Sequence, residues 1–490
     1  MNPFFSRHIG FFAGKDIVFF IKNDILQHTI IAEESTEVNK DIITMEKEFS
    51  FRTVEEVQRF FNARRITPEK ISSALEKHRK NISENDRKQS CSDMEKYLTK
   101  FAPAFLEEFS RMDQALSLKE GSFFEFFSCN TFVPEKEKLD CTSWIVTPEW
   151  TTAGKMLLHK TRDSHATEFA PLFFHTPGKF SFLASTSIYS ADPLMGINEK
   201  GLAVAMNSGE ICSKWNRTGF GTPTMARILL ENCATPEEAA NLVEEMRRER
   251  AYSHMYKGSI FFYADAKKAS ITEFSSEHSQ SLSFDFGYMI RANAWHLPGM
   301  EAVSDNTTEN ILNYNIMREH LVRTGLREAK VRGGVRARDC FAIMRNRGKS
   351  LAEGQEPVCR KTSNSSGTFE IDPEYPLLST CYHASGPTRN TLVIPIPFGA
   401  GAMPRDLVSG EWTSQSFRFK EHSGIDHESL EQMEEVENLL CIQHEQAIEQ
   451  ARLLLRMRRE EDARSLLCEH FRNQFACAKK HFMRITGQKF

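Results

Sequence analysis

The middle of this chain is written differently from its ends, and that change of texture limits the folds open to it. Between Asp140 and Phe398 short β-rich segments recur, and their pattern predicts strands at 156–160, 180–184, 201–207, 259–264, 270–274, 288–293, 379–382 and 391–396. Helical patterns interrupt them at 222–233, 236–250 and 306–326, the second opening with Thr235 as a cap and acids in its first turn. On the N-terminal side the spacing of Val54, Val57, Phe60 and Phe61, and then of Tyr97, Phe101, Phe105 and Phe109, predicts helices between Phe51 and Phe127. From His427 onward Leu430, Met433, Val436 and Leu440 again fall at helical spacing. Strands and helices in separate blocks imply packed sheets flanked by helices. The polar stretch from Lys349 to Asp372, with "KTSNSSGTFEID", reads as a surface loop. No internal repeat is evident.

A chain of 490 residues, 40% apolar and 26% charged, has the composition of a globular protein with a sizeable core. Its 62 basic and 66 acidic residues nearly cancel, so no global field calls for nucleic acid or an anionic membrane. Over 451–490 ten Lys/Arg face four Asp/Glu, which reads as the solvated face of a helix or helical hairpin. At the N-terminus Lys15 and Asp16 interrupt the apolar patches and no small-residue cleavage site follows, so a signal peptide is not expected and a cytoplasmic location is. The sequon at Asn306 then carries no weight. Eleven scattered cysteines, an odd number without CxxC pairs, are expected to be mostly reduced. No HExxH, Cys/His cluster or phosphate-binding glycine loop appears, so no metal or organic cofactor is expected.

One cysteine stands apart. "LDCTSWIVTPEWTTAGKMLLHKTRDS" reads as two strands joined by a turn, with Cys141 at the start of the first and Lys160, Arg162 and Asp163 at the end of the second. If the bond between Asp140 and Cys141 were cut, Cys141 would carry an α-amine, with a pKa of about 8, next to its thiol, and one residue would supply both nucleophile and base. The cut can be self-inflicted through an N-to-S acyl shift and hydrolysis, with Asp140 positioning water or a proton. Strand parity puts Lys160 and Arg162 on one face and Asp163 on the other, so a bend or bulge is expected where they meet.

The same stretch resembles the start of the mature chain in N-terminal-nucleophile (Ntn) hydrolases of the isopenicillin N acyltransferase-like group, the acyl-CoA:6-aminopenicillanic acid acyltransferase family, related to choloylglycine hydrolases. "LMGINEKGLAVAMNSGE", "TPTMARILLENCATPEEA" and "IFFYADAKKASITEF" follow in that family's order, and "FLEEFSRMDQALSLKEGSFFEFFSCNTF" resembles the helical segment before its cut. The resemblance spans roughly Phe105 to Phe398. It implies an α+β fold, a four-layer αββα sandwich with helical additions, divided as a helical pro-segment (1–140), a catalytic core (141–405) and a C-terminal helical extension (406–490).

It further implies Cys141 as nucleophile and new terminus, Asp163 as the acid holding its amine, and Lys160 where choloylglycine hydrolases carry an arginine, with Arg162 as the alternative. Asn207 matches an oxyanion donor and Asn293 a second site asparagine, with His296 a neighbour rather than a base; Asn198 is less suited, lying in a turn. Ser304 is present, but Asn310 stands where relatives carry an arginine, and either Arg318 substitutes for it or that contact is gone. The function implied is a self-processing cysteine amidohydrolase or acyltransferase acting on linear amides through an acyl-thioester. Its partners would be a small N-acyl amide or short peptide and an acyl donor such as a thioester, with the cleaved halves staying associated. A dipeptidase of the same nucleophile class and a non-catalytic binding or scaffold protein that kept the fold remain open.

Overall fold

The computed structural model describes residues 43–130, 140–164, 169–187, 190–212, 214, 216–253, 257–305, 309–347, 357–423 and 427–488. The N-terminal apolar patches, 131–139 before Asp140, the start of the helix expected from 306, and 349–356 lie outside them. Residues 44–490 form one unit.

The strands are β1 (Met45–Lys47), β2 (Asp140–Val146), β3 (Met156–Asp163), β4 (Phe169–Phe174), β5 (Phe182–Ser187), β6 (Pro193–Asn198), β7 (Ala203–Ile211), β8 (Lys257–Ala264), β9 (Ala269–Phe274), β10 (Ser279–Phe284), β11 (Tyr288–Arg291), β12 (Ser363–Ile371), β13 (Thr380–Ser385), β14 (Val393–Pro397) and β15 (Ala402–Pro404). They make a seven-stranded sheet, β10-β9-β8-β7-β6-β5-β4, a six-stranded sheet, β11-β2-β3-β12-β13-β14, and the pair β1-β15. Every named pairing is antiparallel.

The two large sheets face each other, β2 and β3 against β7 and β8. Helices Thr222–Asn232 and Pro236–Arg248 cover the outside of the seven-stranded sheet. Helices Glu309–Val331 and Ala337–Met344 and the C-terminal pair His427–Arg456 and Glu460–Thr486 cover the six-stranded one. The layers are thus α, β, β, α, as expected, and because both faces of the central strands are covered, every residue of β2 and β3 is buried.

Strand parity sorts those residues. Trp144, Val146 and Leu157 point outward into one apolar cluster with Val322, Leu326, Cys340 and Phe341 of the helical layer. Cys141 and Ser143, opposite Arg162 and Lys160, point inward to the other sheet.

The reading of 361–372 as a surface loop is overturned: Ser363–Ile371 is the central strand β12, hydrogen-bonded to β3 and β13 and buried almost throughout. Its polarity answers a polar neighbour rather than water, for Thr368 bonds His159 Nδ1 at 2.7 Å and Ser366 bonds Thr161 at 2.6 Å. The tracts 169–174, 193–198 and 279–284, not read as strands from the sequence, are β4, β6 and β10.

The helical N-terminal region, Val54–Arg64 through Ser122–Asn130, packs on the seven-stranded sheet's flank. Phe51 stacks edge-on against Phe60 and Phe174, and the Arg64 guanidinium donates to Thr186 Oγ1 and the Ser187 carbonyl at 3.1 Å each. A buried ion cluster joins it to the core. Arg227 Nη2 bonds Glu108 at 2.7 and 2.8 Å, its Nε bonds Glu231 at 2.9 Å, and its guanidinium lies over the Phe105 and Phe174 rings.

Candidate active site

Strand β2 begins the site. Cys141 is 5% exposed, and its thiol meets Lys160 Nζ at 3.0 Å. Lys160 is wholly buried; its Nζ also donates to Asn207 Oδ1 at 3.1 Å and to the Met206 carbonyl. Burial pushes the Lys160 pKa down, an effect that the thiol opposes and Arg162 reinforces. No carboxylate forms an ion pair with Lys160 among the described residues.

The Cys141 backbone is held from the loop after β11 and from the helical layer. Its N–H donates to Asn293 Oδ1 at 3.0 Å, and its carbonyl accepts from Arg318 Nη1 at 2.9 Å. Arg318, fully buried, also donates to Asn293 Oδ1 at 2.8 Å and Asn315 Oδ1 at 2.6 Å, and lies 3.7 Å from Asp163 Oδ2. Of the two outcomes left open in the sequence, the structure shows Arg318 reaching the site. The loop carrying Asn293 is pinned by Trp295, whose indole occupies the space above Gly258 so closely that a Cβ there would lie 2.2 Å from the ring.

Asp163 points to the helix side of the sheet, away from Lys160. Its Oδ1 accepts from Ser363, and its Oδ2 has no hydrogen-bond partner among the described residues. Burial raises its pKa against the pull of Arg318 and Arg360. The bend or bulge expected to bring Asp163 together with Lys160 and Arg162 is not found: β2 and β3 pair without a register shift, and the one opposite Asp163 and Arg162 lies on β12, between Ser363 and Ser365. Asp140 pairs with Arg360 at 2.5 Å; burial pushes its pKa up, but Arg318, Lys257 and Arg360 together leave it below the usual carboxylate range.

Other expected residues fall less centrally. Arg162 sits directly opposite Cys141 and stacks on Phe169 at 4.0 Å. Ser304 hydrogen-bonds Glu210, which also accepts from the Trp295 N–H, and so supports the loop instead of meeting the thiol. His296 bonds Glu319 at 3.0 Å, as a neighbour. Asn198 bridges the Leu230 and Cys233 carbonyls, a structural turn residue.

Of the side-chain and backbone N–H donors read onto Asn207, the side-chain amide is already engaged. Both of its amide hydrogens are taken by the Arg291 and Ala292 carbonyls, at 3.1 and 2.8 Å, while its oxygen accepts from Lys160 and Ser143. The side chain has no hydrogen left for an oxyanion. Asn293 donates one, to the Ser208 carbonyl at 2.8 Å, and among the described residues the other has no acceptor.

Sequence reading missed Asn315, Glu319 and Ser363. The first two could have been found: Asn315, Arg318, Glu319 and Val322 share one face of helix Glu309–Val331, so the polar residues continue the buried stripe of Val322 and Leu326.

The four-layer αββα arrangement is the one the resemblance implies. Residues 150–347 match the family model described as acyl-coenzyme A:6-aminopenicillanic acid acyl-transferase, so the resemblance read from the sequence is borne out over that span, which begins after Cys141. No curated protein matches the chain. Among solved structures, penicillin V acylase from Agrobacterium tumefaciens is 13% identical, covering 52% of this chain and 86% of that one at a TM-score of 0.38. A mutant conjugated bile acid hydrolase from Clostridium perfringens is 11% identical, covering 52% and 92% at 0.35. An N-acylethanolamine-hydrolyzing acid amidase ortholog from Caenorhabditis elegans is 15% identical, covering 48% and 95% at 0.32. The fold stands on its own layering, not on these distant likenesses. No helix among the described residues is long and apolar enough to cross a membrane.

Proposed function

We propose that this chain is a self-processing cysteine amidohydrolase or N-acyltransferase whose nucleophile is Cys141, acting on linear N-acyl amides or short peptides. The observation that carries the reading is the buried thiol at the head of β2, bonded to Lys160 and anchored through its own backbone by Asn293 and Arg318. Cleavage before Cys141 turns its amide nitrogen into an α-amine. The Oδ2 of Asp163, across the ladder from Asp140, 3.7 Å from Arg318 and without a hydrogen bond among the described residues, supplies an acceptor for that amine.

In the cycle the thiolate attacks the substrate carbonyl and forms a tetrahedral intermediate. The spare Asn293 amide hydrogen is the donor available to its oxyanion. The leaving amine takes a proton from the Cys141 ammonium, and water or a second amine resolves the acyl-thioester. A thioester acyl donor would enter by the same thiol. The division into pro-segment (1–140), core (141–405) and extension (406–490), a cytoplasmic location and lasting association of the cleaved halves belong to this proposal, the last supported by the Glu108–Arg227 cluster and the β1-β15 pairing.

Denaturing intact-mass measurement on the purified chain beside Cys141→Ala tests it. Two fragments meeting at Asp140/Cys141, absent from the variant, are expected, followed by turnover of N-acyl amides. An uncut wild-type chain with no turnover would favour a binding or scaffold role.

A further inference from the structure

The self-processing reading leaves one proton without an acceptor. To attack the carbonyl of Asp140 the Cys141 thiol must lose its proton, yet at that moment the Cys141 nitrogen is still an amide, donating to Asn293 Oδ1, and has no basic lone pair. The base that serves later turnovers does not exist until the cut is made.

The surroundings leave few candidates. His159 lies on the opposite face, stacked on Trp144 at 3.8 Å with both ring nitrogens bonded to threonines. Asp163 also faces that side, and Asp140 is paired with Arg360. Among the described residues the one side chain hydrogen-bonded to Cys141 Sγ is Lys160. Its three contacts match both of its protonation states. As a neutral amine it gives its two hydrogens to the Met206 carbonyl and Asn207 Oδ1 and turns its lone pair toward Sγ–H; as an ammonium it keeps both and donates the third hydrogen to the thiolate. The proton crosses the 3.0 Å contact while the other two hydrogen bonds stay in place.

The geometry points to Lys160 as the general base of the self-cleavage step, a catalytic role that rests on the processing reading above. Lys160 takes the proton of Sγ, and the thiolate adds to the Asp140 carbonyl carbon. The C–N bond then breaks as the Cys141 nitrogen takes the proton back from the Lys160 ammonium, leaving Asp140 acylated on Sγ. Water hydrolyses that thioester, giving the Asp140 carboxylate, the free thiol and the new α-amine. The net change is one water added.

The test follows processing in time on the full chain made by cell-free synthesis, quenched and read by mass, from pH 6 to 9. Wild type, Lys160→Arg, Lys160→Met, Lys160→Ala and Cys141→Ala are compared. The groups that set the profile are Cys141 on β2, Arg162 and Asp163 on β3, and the dipoles of Met206 and Asn207 on β7. Wild-type processing should accelerate with pH through an ionisation below the ordinary lysine range. Lys160→Arg, which keeps the charge and cannot take a proton, and Lys160→Met should both slow it about 10²–10⁴-fold. Small primary amines should restore Lys160→Ala in proportion to their free-base concentration. Near-normal processing in Lys160→Arg would reduce Lys160 to a fixed charge and overturn the proposal, as would near-normal processing in Lys160→Met. Either result, with Cys141→Ala still uncut, leaves the self-processing reading intact. A wild-type chain uncut at every pH overturns both.

Discussion

Two buried cations in this molecule sit in opposite company. Arg227 is ringed by Glu108 and Glu231, with Asp192 nearby, and lies over aromatic faces; despite burial its pKa is raised. Lys160 has a thiol, an amide oxygen and a backbone carbonyl, and burial dominates, so its pKa is lowered. The first site fixes a positive charge as a joint between the N-terminal helices and the core. The second holds an amine against a thiol, the arrangement on which the proposed base role of Lys160 rests. What separates a structural cation from a reactive one here is the presence or absence of a carboxylate partner.

The comparison can be broken from both sides. The largest effect is expected from Cys141→Ala, which should abolish processing and lower any amide turnover by about 10³-fold or more, read by intact mass and steady-state assay. Next, Arg227→Met should cost about 3–5 kcal/mol in denaturant unfolding, since it strands buried carboxylates. Lys160→Met removes a buried cation with no carboxylate partner and should instead raise the denaturation midpoint at neutral pH. A loss in both variants would show that the two sites do not differ as described.

Asn207→Asp places a carboxylate beside Lys160 and so makes its site resemble that of Arg227. An opposite charge at this range shifts a pKa by about 1–3 units, so processing at neutral pH should slow by about 10- to 10³-fold and recover as pH rises. An unchanged pH profile would contradict the role given to the lysine.

A gentler contrast comes from acid. His383 is buried with its pKa pushed down to about 3, and burial likewise depresses His159 and His444. Groups depressed in the fold contribute stability that is present above the unfolded value of about 6.5 and lost as pH falls toward the folded one. Unfolding free energy should therefore decline below about pH 6.5, with His383→Gln flattening part of that slope. The smallest effect belongs to Thr53→Ala, which removes the capping box closed with Glu56 and should cost about 1 kcal/mol by thermal or denaturant melting.

Much of the site was legible because strand periodicity is a local rule. Parity alone put Lys160 and Arg162 on one face of β3 and Asp163 on the other; the structure keeps that division, and the β2–β3 register adds Cys141 to the face of the lysine. The helical ends and most strands of the middle followed from side-chain spacing in the same way. The resemblance over Phe105 to Phe398 added the order of the motifs, and the family match over 150–347 falls inside it.

The misreadings of polar residues share one cause. Strand β12 looked like a loop because Ser, Thr, Asn and Gly were taken to face water, when they face the hydroxyls and imidazole of β3. Asn207 looked like a free donor because its type fits, but the Arg291 and Ala292 carbonyls across the sandwich take both hydrogens. Arg318 was one of two alternatives until helix Glu309–Val331 was docked on β2 and β3, bringing its guanidinium to the Cys141 carbonyl.

The sequence by itself determined most of the helices, the hairpin of β2 and β3 and several other strands, and which residues of one strand share a face, because those depend on neighbours a few residues away. Only the tertiary structure decided which polar groups are already satisfied and which keep a lone pair or a hydrogen to spare. Lys160 shows why: its thiol partner lies 19 positions away along the chain and its amide partner 47, and the burial that lowers its pKa exists only once both sheets have closed over it.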